Sequence, residues 1–213
     1  TSMKAIIREI KTKSGIDNIN VDVINDATHV IADELLQTIN ESLIQGICPD
    51  EWKISMITPI RKVNGTMNVK EFRPVNNIKI GDKIIEKFVK KQLDRHININ
   101  NLLTEKQSAF RENHSCETAF NLLVNDWKVE IENGNKITAV FLDLQRAFET
   151  ICRKILCTKL CKYGIKGVAL NWIKSWLENR YQYTVMNGKK SDFKLINVGV
   201  PQGTPLSLSL IHI

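Results

Sequence analysis

The 213-residue sequence lacks several features that would place it in other classes of protein. It has no run of eighteen or more apolar residues, so no transmembrane helix is expected, and its first residues lack the apolar core of a signal peptide. Its five cysteines form no C-x-x-C pair. Free thiols in a reducing compartment are therefore the favoured interpretation, and a zinc site at Cys152, Cys157 and Cys161 is the alternative.

Acidic residues are scarce in two stretches of the chain. Residues 51–100 hold eleven Lys and Arg against five Asp and Glu, and residues 151–213 hold ten against two. The stretch between them, 101–150, is mildly acidic. Two basic stretches around a carboxylate-bearing one suit an enzyme that grips phosphates around a metal-binding centre. A generic basic surface is the alternative interpretation.

The hydrophobic pattern predicts an α+β fold with a helical N-terminal leader. With 43% hydrophobic residues, the chain can bury a core in one domain or two small lobes. A strand is expected over 54–60, and Asn187-Gly188 predicts a hairpin between 181–186 and 193–200. Helical periodicity is found in five stretches, which are 1–47 (as two or three pieces), 81–99, 114–132, 147–163 and 169–177.

The stretch Phe141-Leu142-Asp143-Leu144-Gln145-Arg146-Ala147-Phe148 is the most informative part of the chain. The apolar run 139–142 predicts a short buried strand that delivers Asp143 to its exposed end, beside the start of a helix. A carboxylate placed there loses hydration unless a cation compensates it, so a metal ligand is one interpretation. A cap of the following helix is the other. This stretch alone does not decide between them.

A second block, Gly199-Val200-Pro201-Gln202-Gly203-Thr204-Pro205-Leu206, follows about sixty residues later. Together the two blocks resemble the reverse transcriptases of non-LTR retrotransposons, the LINE or jockey-like elements. Further blocks resemble the same family in the same order. They are Trp52-Lys53 with Ile57-Thr58-Pro59-Ile60-Arg61-Lys62, Phe72-Arg73-Pro74-Val75, Leu103 to Arg111, and Trp172 to Arg180. Two positions depart from the pattern: Ala109 stands where glycine is usual, and Glu149 where aspartate is usual.

The resemblance implies a partial right-hand polymerase, with fingers near 48–93, a partial palm and fingers over 94–213, and the leader at 1–47. It implies an RNA-directed DNA polymerase that uses two Mg²⁺ ions in the intact parent. The implied partners are an RNA template, a DNA primer or target and deoxynucleoside triphosphates, with no membrane. The implied setting is intracellular, in the nucleus, the cytoplasm or both.

The first block supplies the catalytic residues that the resemblance implies. Asp143 matches a catalytic carboxylate and metal ligand, and the Leu144 carbonyl could add a second ligand. Phe148 matches the aromatic that lies against the sugar and disfavours a 2′-hydroxyl. A core phenylalanine on a first helical turn is the alternative for Phe148. Glu149 is assigned no role.

The remaining implied site residues would bind the nucleotide. Lys62 and Arg73 match the fingers cations that contact its triphosphate, with Arg61 as a substitute for Lys62. A solvated basic hairpin is the alternative. Gln202 and Gly203 match the turn that lies along the template and the incoming nucleotide, where glycine lets the backbone approach closely. A plain surface turn is the alternative for this pair.

No Asp or Glu follows Asp192, although the family carries a second acidic block beyond the Pro-Gln-Gly turn. We therefore expect a polymerase domain truncated before that block, which is inactive by itself. The first residue is not methionine, which also indicates a piece of a longer protein. A non-catalytic remnant that at most binds nucleic acid is the alternative function, and an unrelated binding module is a third.

Overall fold

A computed structural model describes residues 3–10 and 15–211, and it combines helices with a small sheet. The expected α+β class is confirmed. The helices are α1 (Met3–Arg8), α2 (Val21–Asp26), α3 (Thr28–Gln45), α4 (Ile80–Ile99), α5 (Cys116–Glu132), α6 (Ala147–Thr150), α7 (Arg153–Lys162), α8 (Gly167–Leu177) and α9 (Pro205–Leu210). Residues 11–14 of the expected leader lie outside the described ranges. Within those ranges no helix is both long and apolar enough to cross a membrane.

Within the described residues five strands form one sheet, which begins in the predicted fingers. The strands are β1 (Ile54–Arg61), β2 (Phe72–Asn77), β3 (Arg180–Met186), β4 (Lys189–Lys190) and β5 (Lys194–Ile196). Their order is β2-β1-β3-β4, with β5 also paired to β3. β1 is antiparallel to β2 and parallel to β3, so a segment distant in sequence completes this sheet. The strand predicted over 54–60 and the turn at Asn187-Gly188 are confirmed, whereas the return strand predicted over 193–200 is limited to β5, and β4 precedes it.

The hydrophobic core lies between the leader helices and helices α4, α8 and α9. Trp172 and Trp176 on α8 are its largest fully buried side chains, and Ile6, Ile7 and Ile39 of the leader share the same core. The leader is also fixed to α4 by the Asp17 carboxylate, whose Oδ2 accepts the first backbone N–H of the helix at 3.1 Å. The division into a unit at 1–47 and a unit at 48–213 stays a prediction.

The predicted helix over 147–163 is interrupted, which corrects the periodicity argument. Residues 151–152 are extended and separate α6 from α7. The backbone carbonyl of Ile151 accepts the N–H of Gly199 at 2.9 Å, a bond that replaces a helical one. Hydrophobic periodicity carries no signal for such a long-range backbone bond, so a continuous helix was the wrong expectation.

The buried strand predicted over 139–142 is not formed, so the expectation that a strand delivers Asp143 to its exposed end was wrong. Residues 135–144 form no regular structure, and the side chains of Phe141 and Leu142 are 85% and 91% exposed. A strand satisfies its backbone groups only through a neighbouring strand, and no described segment pairs with this one. Helix α5 likewise has no buried residue. We call residues 116–144 the exposed arm.

Candidate active site

The β1–β2 hairpin carries the two cations predicted to bind a triphosphate. Arg73 lies opposite Ile60 in the strand register, and the Lys62 backbone N–H bonds the Glu71 carbonyl at 2.8 Å. Both cationic side chains are exposed. Neither forms an ion pair with any residue in the described ranges, so both remain available to an anionic ligand.

The turn that contains Gln202 and Gly203 lies along the free edge of β2. The backbone N–H of Asn76 donates to the Gln202 carbonyl at 2.8 Å, and the Asn76 side-chain amide reaches the same oxygen at 3.4 Å. Asn76 is itself oriented by the Ser55 hydroxyl, which donates to its Oδ1 at 2.8 Å. These bonds hold the turn at Gln202 against β2, the strand that carries Arg73.

The backbone conformation at position 203 favours glycine. Its φ of 95° lies in the left-handed region that glycine favours, and a Cβ added there would lie 3.2 Å from the Val75 side chain. Val75 is two residues from Arg73 on the same strand, so both side chains point to the same side of the sheet. The structure thus brings Gly203 next to the strand face that presents Arg73.

The start of the turn is fastened to the helix that carries Phe148. The Val200 N–H donates to the Phe148 carbonyl at 2.8 Å. A Cβ on Gly199 would lie 2.6 Å from that carbonyl oxygen, closer than side-chain atoms come to backbone, so only glycine fits. The Arg153 guanidinium adds a bond to the Gly199 carbonyl at 2.8 Å. The backbone of Phe148 and the start of the turn are therefore neighbours.

A buried charged cluster lies at the other end of the turn and was missed from the sequence. Glu86 accepts the Trp176 indole N–H at 3.1 Å and the backbone N–H of Leu206 at 3.2 Å. The Arg180 guanidinium lies 4.9 Å from the Trp176 ring and donates to the Trp176 carbonyl at 3.0 Å. Glu86 therefore ties the first turn of α9, just after Gly203, to the core.

The pKa values of this cluster are displaced by its burial. Burial raises the pKa of Asp82 to about 8, assisted by the neighbouring Glu86 carboxylate and opposed by Arg180. Burial also raises the pKa of Glu86, although Arg180 counteracts it. Asp82 Oδ1 has no hydrogen-bond partner within the described ranges. Two acids one helical turn apart on the buried face of α4 were the sequence signal for this cluster.

Asp143 is exposed in the arm. Its carboxylate has no hydrogen bond or ion pair to another residue of the described ranges, and the carbonyl-bearing Leu144 is also exposed. The nearby Glu149 is paired with Arg146. No group of three or more His, Cys, Asp or Glu that could hold a metal is found in the described ranges. One carboxylate contributes a ligand but does not make a complete metal site, so no catalytic step is assigned to a metal here.

Comparison with known proteins agrees with the motifs. The family model "Reverse transcriptase (RNA-dependent DNA polymerase)" matches residues 60–213. The RNA-directed DNA polymerase from mobile element jockey of Drosophila melanogaster is 28% identical over 194 residues, which are 89% of this chain and 21% of the relative. The probable RNA-directed DNA polymerase from transposon BS of the same species is 26% identical over 92% of this chain and 22% of the relative.

A relative from another kind of element also matches. The retrovirus-related Pol polyprotein from type-1 retrotransposable element R2 of Popillia japonica is 25% identical over 80% of this chain and 24% of the relative. The chain thus spans about a fifth to a quarter of the length of these relatives. The resemblance to the polymerases of non-LTR elements is confirmed, and members of this family generally depend on divalent metal ions. The chain belongs to the reverse transcriptase (RNA-dependent DNA polymerase) family.

Proposed function

We propose that this chain is the nucleotide-binding part of an RNA-directed DNA polymerase that copies the RNA of a non-LTR retrotransposon from a DNA primer. The observation that carries the proposal is the turn at Gln202-Gly203. Its contacts with β2 and with the Phe148 carbonyl join three of the predicted site segments, which are far apart in sequence. A turn with a purely structural role does not require Arg73 on the adjacent strand to lack an ion-pair partner. Binding of a triphosphate does require a cation that is free to contact it.

The roles of the individual residues follow from their chemistry. Arg73 and Lys62 would contact the triphosphate of the incoming deoxynucleotide, and Phe148 would lie against its sugar. Gln202 and Gly203 would line the template and the incoming base. In the intact protein, Asp143 with the Leu144 carbonyl would contribute ligands to two Mg²⁺ ions, which supply charge neutralisation at the reacting phosphate. Reaction in the nucleus, the cytoplasm or both remains part of this proposal.

A non-catalytic role is the second candidate for the chain as it stands. The isolated Asp143 carboxylate favours it, because two-metal chemistry requires several oxygen ligands around ions about 3.5–4 Å apart. In that case the basic fingers would bind nucleic acid without extending it. The two candidates share the phosphate contacts of Arg73 and Lys62 and differ in catalysis.

Primer extension on an RNA template with deoxynucleotides and Mg²⁺ tests the proposal. We expect no product from residues 1–213 alone, and product when a downstream acidic block of a jockey-like relative is joined to the chain. Asp143→Asn should abolish that product. Failure of the joined protein to extend a primer, while it still binds primer–template, would leave the non-catalytic role.

The phosphate contacts have their own test. Arg73→Ala should weaken primer–template or nucleotide binding, and the difference from the unmodified chain should shrink as salt rises, since the contact is ionic. Arg111→Ala is a matched control outside the hairpin, where the guanidinium bonds the carbonyls of Thr104 and Gln107. A salt-independent loss with a lower melting temperature would instead assign Arg73 a structural role.

A further inference from the structure

The sheet has one buried face and one face that is open to solvent. Side chains directly opposite each other in neighbouring strands lie on the same face, and alternate residues lie on opposite faces. Ser55, Ile57 and Arg180 are buried and define the inner face. The other face, which we call the outer face, carries ten residues that these pairings place in register. They are Ile54, Met56, Thr58 and Ile60 of β1, Arg73, Val75 and Asn77 of β2, Tyr181 and Tyr183 of β3, and Leu195 of β5.

Aromatic rings and one lysine are in contact at one end of the outer face. The Tyr183 and Phe193 rings are packed edge to face with centroids 5.1 Å apart. The Lys190 ammonium lies 4.2 Å from the Tyr183 centroid and 4.6 Å from the Phe193 centroid. Tyr181 is 43% exposed and Phe193 is 51% exposed. We call Tyr181, Tyr183, Lys190 and Phe193 the aromatic patch.

The cation of the aromatic patch is Lys190. It pairs with Val185 and therefore lies on the outer face with Tyr183, whereas the exposed Lys189 and Lys194 pair with Met186 and Gln182 on the opposite face. Exposed aromatic rings beside cations are the combination that holds single-stranded nucleic acid, because bases stack on the rings while the phosphates pair with the charges. A rigid duplex keeps its bases stacked inside and gains only the charge contacts.

The aromatic patch and the proposed nucleotide site lie on the same face. Val75, which contacts Gly203, pairs with Thr58, while Tyr183 pairs with Met56 one strand further on. With strands about 4.8 Å apart and residues about 3.3 Å apart along a strand, Val75 and Tyr183 are separated by about 12 Å. At about 3.4 Å per nucleotide in a stacked strand, this is a distance of roughly three to four nucleotides.

We propose that the aromatic patch binds the unpaired part of the template strand, a few nucleotides ahead of the position copied. This inference rests on the proposed function for its geometry, since it places the templating base near Gly203. Binding of a single strand to the aromatic patch does not itself require catalysis. Lys190 contacts a phosphate, and the rings of Phe193 and Tyr181 provide surfaces on which bases stack.

Direct binding of a labelled single-stranded RNA of about twelve nucleotides, measured by fluorescence anisotropy with the full chain, tests the aromatic patch. Phe193→Ala should weaken binding about five- to tenfold, at the lower end of the effect of removing one stacking side chain. Phe120→Ala removes a similarly exposed ring from α5 and should leave binding unchanged. Equal loss with both variants would overturn the proposal.

Substitutions that preserve packing separate stacking from folding. Phe193→Leu keeps apolar volume against Tyr183 and should still lose affinity, whereas Phe193→Tyr keeps the ring and should restore it. Normal affinity of the leucine variant would overturn the stacking role. Lys190→Gln should reduce the salt dependence of binding by about 0.7 in log–log slope, the value for one single-strand phosphate, while Lys128→Gln on α5 should not. An unchanged slope in Lys190→Gln would contradict the phosphate contact.

Overhang length links the aromatic patch to the copying site. On primer–template duplexes, Phe193→Ala should weaken binding when the template overhang is six nucleotides, and should have no effect when it is one. An effect on blunt duplex of equal size would overturn single-strand recognition. Loss of self-association in Phe193→Ala, with unchanged RNA affinity, would identify the aromatic patch as a protein interface instead. Failure of the chain joined to a downstream acidic block to extend a primer would overturn the proposed function and leave the single-strand result intact.

Discussion

Helix α8 and helix α5 of the exposed arm have similar apolar sequence patterns, but α8 is buried and α5 is exposed. On α8, Trp172 and Trp176 are each 1% exposed and pack against the leader and α4. On α5, in the arm, Phe120 is 62% exposed and no residue is buried. An amphipathic helix gains stability from a complementary apolar surface, which α8 finds and α5 does not find within the described ranges. Apolar periodicity therefore predicted that both segments are helical, but of the two only α8 is buried.

The largest expected difference between the two regions is in tryptophan truncation. Trp176→Ala should destabilise the fold by about 3–5 kcal/mol, because it creates a cavity and removes the N–H that bonds Glu86. Trp127→Ala on α5 should cost less than about 1 kcal/mol, since α5 has no buried residue. Urea unfolding measures both. Comparable losses would mean that the arm packs in solution.

The pH dependence of stability should come from the packed region and not from the arm. The pKa of Asp82 is raised by burial to about 8, so the folded state holds a proton that the unfolded chain releases near its ordinary value of 3.8. The stability due to this proton is complete below about pH 4 and is lost as pH rises to about 8. The slope is at most about 1.4 kcal/mol per pH unit.

Asp82→Asn cannot titrate, so its free energy of unfolding should vary less over this range than that of the unmodified chain. Asp126→Asn on α5, where Lys106 pairs with an exposed carboxylate, serves as the control. Urea unfolding at pH 5, 6, 7 and 8 gives the comparison. Parallel pH profiles for Asp82→Asn and the unmodified chain would show that Asp82 is ionised throughout.

Two glycines with similar backbone angles should respond differently to alanine. Gly199 (φ 77°) has the Phe148 carbonyl 2.6 Å from the position of a Cβ, whereas Gly134 (φ 83°) has nothing within 4 Å. Gly134→Ala should cost about 1 kcal/mol for its left-handed backbone. Gly199→Ala carries the same penalty and a steric one, about 1–3 kcal/mol more. Thermal melts measure both, and equal shifts would mean that the turn moves freely from α6.

The smallest expected effect on stability is at the surface of the arm. Phe120→Ser should change the free energy of unfolding by no more than about 0.5 kcal/mol, because its ring is already exposed. It should reduce self-association, since the arm exposes several large apolar side chains, among them Phe120, Leu122 and Phe141. Sedimentation at rising concentration measures the second effect. A clear loss of stability would show that α5 is packed in solution.

Local signals in the sequence were sufficient for much of the fold. The strand over 54–60, the helix over 81–99 and the hairpin at Asn187-Gly188 were predicted because periodicity and turn chemistry act between near neighbours. The motif blocks identified the polymerase family for a related reason, since each block is a short contiguous segment. The roles of the seven predicted site residues stay proposals.

Long-range contacts decided the rest. The helix predicted over 147–163 is interrupted at residues 151–152 because the Ile151 carbonyl accepts the N–H of Gly199. Glu86 is buried because Leu206 and Trp176 donate hydrogen bonds to it. The Ile151 bond has no signature in the adjacent sequence, and the spacing of Asp82 and Glu86 on α4 indicates a buried acidic pair but not its partners. The segment before Asp143 has the pattern of a strand, but a strand exists only where another strand satisfies its backbone groups. Sequence therefore determined which segments could be helix or strand, and tertiary contacts determined which of them formed and which were buried.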